Sequence, residues 1–305
     1  MKIESFPRKL FLFRNNLCMF AQTQNELHNM KHMSILAVSL LALVACTPEK
    51  KQEADYSQYV NPMIGTDFTG NTYPGAQVPF GMVQLSPDNG LPGWDRISGY
   101  FYPDTTIAGF SHTHLSGTGA GDLYDISFMP VTRPYKEAPA PLGIYSTFSH
   151  NDEAASAGYY RVLLKDYNIN VELTATERCG IQRYTFPEAE ASVFLNLKKA
   201  MNWDFTLDSK IEVVDSTTIR GYRLSQGWSP LQHVYFETRF SKPFVACHMD
   251  TTSIVTKEKG WIGTAYVARF DFNTKKDEEI LVTTGISGVS MEGAGKNLRA
   301  EAPKD

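Results

Sequence analysis

The residues whose types and spacing can do chemistry crowd between Tyr59 and Pro130. Trp94 stands in Pro92-Gly-Trp-Asp95, a turn-forming context that puts it in a loop. A loop tryptophan offers a flat apolar face and one donor, which suits stacking on a ring; the other reading is that it caps a core. His112-Thr-His114 places two imidazoles on one face of an extended segment, the beginning of a transition-metal site for which spacing supplies no third ligand. Held by hydrogen bonds in a rigid loop, the same pair shapes a pocket instead. Asp67, Asp88, Asp95, Asp122 and Asp125 share the region. Nothing in their spacing singles out an acid–base pair, and those beside Gly or Pro read as local turn caps.

Ser116-Gly-Thr-Gly-Ala-Gly-Asp122 has the composition of a phosphate loop without its pattern. The glycines alternate instead of following G-x-G-x-x-G, and Leu123 to Met129 reads on as a strand, not a helix. Glycines so placed let the backbone pack closely or approach a ligand. Ile64-Gly-Thr66 and Asn71-Thr-Tyr-Pro-Gly75 read the same way, which makes Gly65 a candidate for ligand approach.

These loops need a scaffold, and the rest of the chain reads as β structure. Its 305 residues are 42% apolar and 20% charged, ordinary for a globular protein, with a net charge of -4 that argues against a nucleic-acid partner. Eighteen Phe, fifteen Tyr and four Trp, punctuated by Gly and Pro, favour strands. Period-two alternation marks Tyr159 to Leu164, Ile169 to Ala175, Ile181 to Phe186, Ser192 to Leu197, His233 to Phe240, Trp261 to Phe272 and Glu279 to Thr284. No amphipathic helix separates successive strands, which disfavours a parallel α/β fold. The fold class expected is all-β: residues 58–289 form one β-sandwich of two large antiparallel sheets, into whose core Trp203, Trp228 and Trp261 are assigned. Over 290–305 Ser290 can cap a helix with Glu292 in its first turn and Ala294 and Leu298 on one face. That helix is either a connector to a further domain or a surface helix closing the sandwich.

The N-terminal part carries an export signal. Met30-Lys-His32 is a short positive start, and Ile35 to Ala45 is apolar or small apart from Ser39, too short for the ~20 residues of a membrane span. Leu43-Val-Ala-Cys46 has the form of a bacterial lipobox, so Cys46 is the expected lipidation site and residues 47–57 a polar tether. Residues 30–46 are then the signal peptide, and 1–29 read as a start assigned too far upstream or as an N-terminal extension. The expected location is the bacterial cell envelope, with the membrane reached only through the lipid. Cys18, Cys179 and Cys247 form no C-x-x-C pair; Cys179 and Cys247 could pair in an oxidising compartment, but they read first as small buried residues.

Several words of the sequence, taken in order, are more specific than any one of them. They run from Tyr59-Val-Asn-Pro-Met-Ile-Gly-Thr66 through Asn71-Thr-Tyr-Pro-Gly75, Gly93-Trp-Asp95, Ser98-Gly-Tyr100 and Gly109-Phe-Ser-His-Thr-His114 to Gly158-Tyr-Tyr160, Gly227-Trp228 and Gly285-Ile-Ser-Gly-Val-Ser290. Together they resemble the N-terminal domain of the family 92 glycoside hydrolases, calcium-dependent exo-acting α-mannosidases. The resemblance implies a β-supersandwich of the galactose-mutarotase-like kind, joined by a helical linker to an (α/α)6 barrel. It implies an active site between the two domains, at which water attacks with inversion on mannose-containing glycans. On the resemblance Trp94 lies against the mannose and His112 and His114 shape the pocket; Gly65 joins them as a substrate-binding candidate from its glycine loop. The general acid, the general base and the calcium ligands are implied to come from the barrel, with no matching position in these 305 residues. The reading is therefore an N-terminal piece of an α-mannosidase, inactive alone. A freestanding lipid-anchored carbohydrate-binding module and a half that docks a separately encoded barrel are the other two.

Overall fold

A computed structural model describes residues 55–140, 142–198, 204–256 and 261–302. The signal peptide, Cys46, Cys18 and Trp203 lie outside the described residues.

Short strands come first: β1 (Ser86–Asp88), β2 (Thr106–Ile107), β3 (Gly109–Ser111), β4 (Ser127–Thr132), β5 (Glu137–Ala138), β6 (Gly143–Ile144), β7 (Ser146–Thr147) and β8 (Glu153–Ser156). Longer ones follow: β9 (Tyr159–Leu164), β10 (Ile169–Ala175), β11 (Cys179–Phe186), β12 (Ala189–Asn196), β13 (Phe205–Val213) and β14 (Thr218–Gln226). The last are β15 (Gln232–Phe240), β16 (Ala246–Thr256), β17 (Trp261–Thr274) and β18 (Glu278–Ser287), before helix α1 (Met291–Glu301).

Two antiparallel sheets result. One runs β1-β3-β4-β12-β17 with β16 on the far side of β17; the other runs β13-β14-β15-β18-β11-β10-β9-β8. They join where β13 meets β17 in parallel, at the single register pair Asp208 and Thr264. The architecture is the expected all-β sandwich with a C-terminal helix, and β9 and β10 occupy the residues that alternation marks. The core is one cluster contributed by both sheets. Phe240 of β15 meets Phe128 of β4 at 6.4 Å and Phe270 and Phe272 of β17 at 5.2 and 5.7 Å between ring centroids.

The structure corrects two of the sequence readings. Leu123 to Ile126 is not strand: Leu123, Tyr124 and Ile126 adopt left-handed backbone (φ 86°, 64° and 56°), and β4 starts only at Ser127. Trp228 is not a core residue but 81% exposed, in the turn between β14 and β15. Cys179 is buried, Cys247 is half-buried, and both are free thiols.

Helix α1 begins where the cap was expected, with Ser290 Oγ accepting from Gly293 N at 3.0 Å. Ala294 and Leu298 are buried, and Leu298 and Ala302 pack with Cys179. At the helix's far end the Glu301 carboxylate accepts from Thr176 Oγ1 (2.6 Å), Arg178 N (2.8 Å) and the Arg178 side chain.

Candidate functional site

Trp94 opens a 3-10 turn, Trp94–Arg96, behind Gly93, whose backbone (φ 153°, ψ 159°) only glycine adopts without strain. The turn is held from below. Arg96 donates Nε and Nη2 to the two oxygens of Asp104 at 2.6 and 2.5 Å and lies over the Phe101 ring. The Trp94 side chain takes no part in that anchoring. It is 58% exposed, and its ring edge rests on Gly119, where a Cβ would stand only 3.1 Å from Cη2. A rigid base under a free aromatic face is the arrangement a stacking residue needs.

Gly65 lies in a neighbouring loop with left-handed backbone (φ 83°), its carbonyl accepting from Thr72 N at 3.2 Å. Thr72 O in turn accepts from Ser98 Oγ at 2.9 Å, and Gly117 N donates to Asn71 O at 2.6 Å. The Gly65 loop, the Trp94 loop and the glycine-rich loop are thus bonded to one another. Thr66 O accepts from Tyr102 N, and behind it Asn61, Asp67, Tyr102 and His150 line a shallow cleft of about 580 Å³.

His112 and His114 are brought close but do not form a shared donor face. His112 is fully buried: Nδ1 donates to Ile126 O at 2.7 Å, the ring packs on Phe128, and Gly180 is kept bare by it. Its Nε2 is buried without a partner, and burial pushes its pKa down to about 4, so it stands neutral. The His114 ring has Nδ1 on Gln84 O at 2.7 Å and Nε2 between Asp88 Oδ1 (2.9 Å) and Ser111 Oγ (3.1 Å). Gly99 of the Trp94 loop packs directly on His114 and Asp88. His114 therefore supports that loop from within the protein.

The aspartates are mostly committed. Asp67 accepts from Phe68 N at 2.7 Å, and Asp88 holds His114 and Ser111. Asp125 receives Arg223 Nη1 on Oδ1 at 2.6 Å, and Thr113 Oγ1 (2.7 Å) and Gln232 Nε2 (2.8 Å) on Oδ2. Arg223 is fully buried on β14 and also donates Nη2 to Asp204 at 2.9 Å. Burial holds Asp204 up at about 6, with Asp125 and Asp122 adding to the rise and Arg223 opposing it. Asp122 accepts from Trp228 N at 2.6 Å and Ser229 N at 3.2 Å through Oδ2. In the sequence Asp122 is only one of five candidate carboxylates, Trp228 is assigned to the core and Arg223 has no role; the Gly227-Trp228 turn is the signal that could have drawn attention to this junction.

Among the described residues no three His, Cys, Asp or Glu side chains come together as a metal site. Asp125 and Asp204 converge in the interior, but both accept from the Arg223 guanidinium, and Asp122 beside them is taken by the Trp228 and Ser229 amides. These residues do not fit a calcium ion.

Comparison with known proteins gives the context for this loop cluster. The sequence profile of the glycosyl hydrolase family 92 N-terminal domain matches residues 59–287. A family 92 α-mannosidase of Bacteroides thetaiotaomicron, solved in complex with mannoimidazole, is similar with a TM-score of 0.73 and 38% identity, over 81% of this chain and 34% of that one. A family 92 inverting mannosidase of the same organism is similar with a TM-score of 0.68 and 25% identity, over 84% and 34%. An uncharacterized secreted glycosidase of Arthroderma benhamiae is 26% identical over 172 residues, 53% of this chain and 21% of its own length. The chain spans about a third of the length of the solved relatives and about a fifth of that glycosidase. From Tyr59 through β18, sequence profile and backbone agree, and the chain belongs to glycosyl hydrolase family 92 through its N-terminal β domain.

Proposed function

We propose that this domain forms one wall of an α-mannoside pocket, as the N-terminal part of an inverting α-mannosidase acting on mannose-containing glycans. The observation that carries the reading is Trp94: a half-exposed indole on a braced turn, in a chain that belongs to family 92. Trp94 stacks on the terminal sugar, and Gly65, against which Thr72 packs so closely that a Cβ would clash, keeps the neighbouring loop in place beside it. His114 and His112 act from inside, holding the Trp94 loop and the core beneath it.

Hydrolysis is proposed to need residues beyond this domain. Asp67, Asp88, Asp122 and Asp125 each already serve a structural partner, so none of these four is put forward as the acid or base of an inverting pair. The solved relatives are about three times as long as their match to this chain, and the acid, base and calcium ligands are proposed to lie in that additional length, the expected (α/α)6 barrel. The test is release of mannose from α-mannobiosides by the purified chain, in calcium and in chelator. No turnover is expected in either; calcium-dependent release would move the acid and base into this domain and overturn the assignment.

Cys46 is proposed as the lipid anchor, on the strength of Leu43-Val-Ala-Cys46 and the apolar run before it. Metabolic labelling with a fatty acid in a bacterial host should mark the protein and fail to mark Cys46→Ala. Equal labelling of both would remove the anchor and the envelope location with it.

A further inference from the structure

Two exposed tryptophans are planted on one loop. The glycine-rich segment between β3 and β4 carries Gly119 under the Trp94 ring and, three residues on, Asp122 under the Trp228 turn. Three residues reach at most about 10 Å, so the two indoles rise from points separated by the scale of two linked pyranose rings. Just before Gly119 the same loop carries the exposed Ser116 and the half-buried Thr118, hydroxyls of the kind that meet sugar hydroxyls.

The Trp228 turn is fixed by more than its own hairpin. Its backbone N–H and that of Ser229 both donate to Asp122 Oδ2, and a side chain at Gly227 would run into the same carboxylate. Gln232, just beyond the turn, donates to Asp125, and Arg223, just before it, donates to Asp125 and to Leu123 O. The loop side of this junction holds Leu123, Tyr124 and Ile126 in left-handed backbone, a conformation that persists only where the surroundings over-determine it. All of this rigidity presents a side chain that is 81% exposed. Trp228 adds little to the core, so the bracing serves the position of its ring.

We propose that Trp228 is a second stacking residue, which takes the sugar linked to the terminal mannose while Trp94 takes the mannose itself. The domain then contributes to recognition of the penultimate sugar and selects at least a disaccharide. This rests on the reading of the Trp94 face as a mannoside wall, and the experiment separates the two.

The indole N–H resonances of the full chain, assigned with Trp94→Phe and Trp228→Phe, are followed in titrations with methyl α-mannoside and with α-mannobiosides. Methyl α-mannoside should move the Trp94 signal, and a mannobioside should move both. In Trp228→Ala the ratio of mannobioside to methyl mannoside affinity should fall about tenfold, and Trp228→Phe, which keeps a flat ring, should hold most of that ratio. A mannobioside that moves Trp94 alone, with the ratio unchanged in Trp228→Ala, overturns this inference and leaves the mannoside wall standing. If neither saccharide moves Trp94, the wall itself is overturned and this inference goes with it.

Discussion

At the scale of single residues, His112 shows how a side chain chosen for its chemistry can be used for its shape. Its ring is buried among Gly180, Phe128 and the Ile126 carbonyl, with His114, Asp125 and Asp88 as charged or titratable neighbours. Burial lowers its pKa to about 4, and His114 adds to the fall, while the carbonyl and the two aspartates oppose it. The unfolded chain takes this proton near pH 6.5 and the folded chain not until about 4. Stability conferred by neutral His112 is therefore complete above about 6.5 and drains away as pH falls to 4, by on the order of 3 kcal/mol. Asp204 runs the other way, since its folded pKa is raised to about 6 from 3.8 and the folded state takes the proton first. Carboxylates held low by their partners, Glu172, Asp271 and Glu301 among them, also lose stability in acid, so the His112 contribution is read as a difference between variant and wild type. In urea unfolding at pH 7, 5.5 and 4, His112→Asn, which keeps a donor for Ile126 O, should lose less stability on acidification than the wild type; equal losses would mean that His112 is not a group losing stability in acid. That His112 and His114 belonged to a structured loop was legible from their spacing. Which of their nitrogens would be left unpartnered depends on Gly180, Gln84 and Asp88, which lie far away in sequence and so left no local signal.

At the scale of elements, legibility followed what fills the buried face. β10 alternates Ile169, Val171 and Leu173 inward, and its limits could be read directly. β14 alternates as strictly, but its inward residues include Gly221, Arg223 and Ser225, which no hydrophobic pattern can find. Gly221 is needed for close approach to β13, and Arg223 serves Asp125 and Asp204. Likewise the segment before β4 looked like strand because Leu123, Tyr124 and Ile126 are apolar. The intervening Asp122 and Asp125 bind β14, its turn and the start of β15, and they impose a left-handed path instead. Helix α1 was legible because its signal is local, a Ser290 cap and an Ala294–Leu298 face. The buried ion pairs are the element-scale junction most open to test. Arg223→Met leaves two buried carboxylates without a counter-charge and should cost about 3–5 kcal/mol, read as a fall in thermal midpoint. Adding Asp125→Asn should recover part of that loss. A double variant no more stable than Arg223→Met would mean that the arginine acts by packing and not by charge.

At the scale of the whole molecule, two sheets share almost no ladder and one core. The parallel contact of β13 with β17 amounts to one register pair, whereas Phe240 alone links β15 to β4 and β17 through three aromatic contacts. Cooperation between the sheets must come from face-to-face burial, not from backbone hydrogen bonds running across them. The sandwich was foreseeable from alternating strands and turn spacing; the strand order was not, because β18 pairs with β11 about a hundred residues earlier and no local pattern encodes that partner. β18 is also the strand on which the larger sheet depends, with β15 on one side, β11 on the other and α1 across it. If the core makes the fold one unit, damage to β18 must be felt in the other sheet. Val282→Ala, at a fully buried position of β18, should cost about 1–3 kcal/mol. Followed by amide hydrogen exchange in denaturant, β12 in the smaller sheet and β11 in the larger should lose protection at one shared midpoint, shifted equally by the substitution. A shift confined to β11 would mean that the sheets unfold separately. The Trp94 loop, which leaves β1 in the smaller sheet, and the Trp228 turn, which follows β14 in the larger, would then be positioned by two independent bodies, and a fixed spacing between the two indoles would no longer follow from the fold.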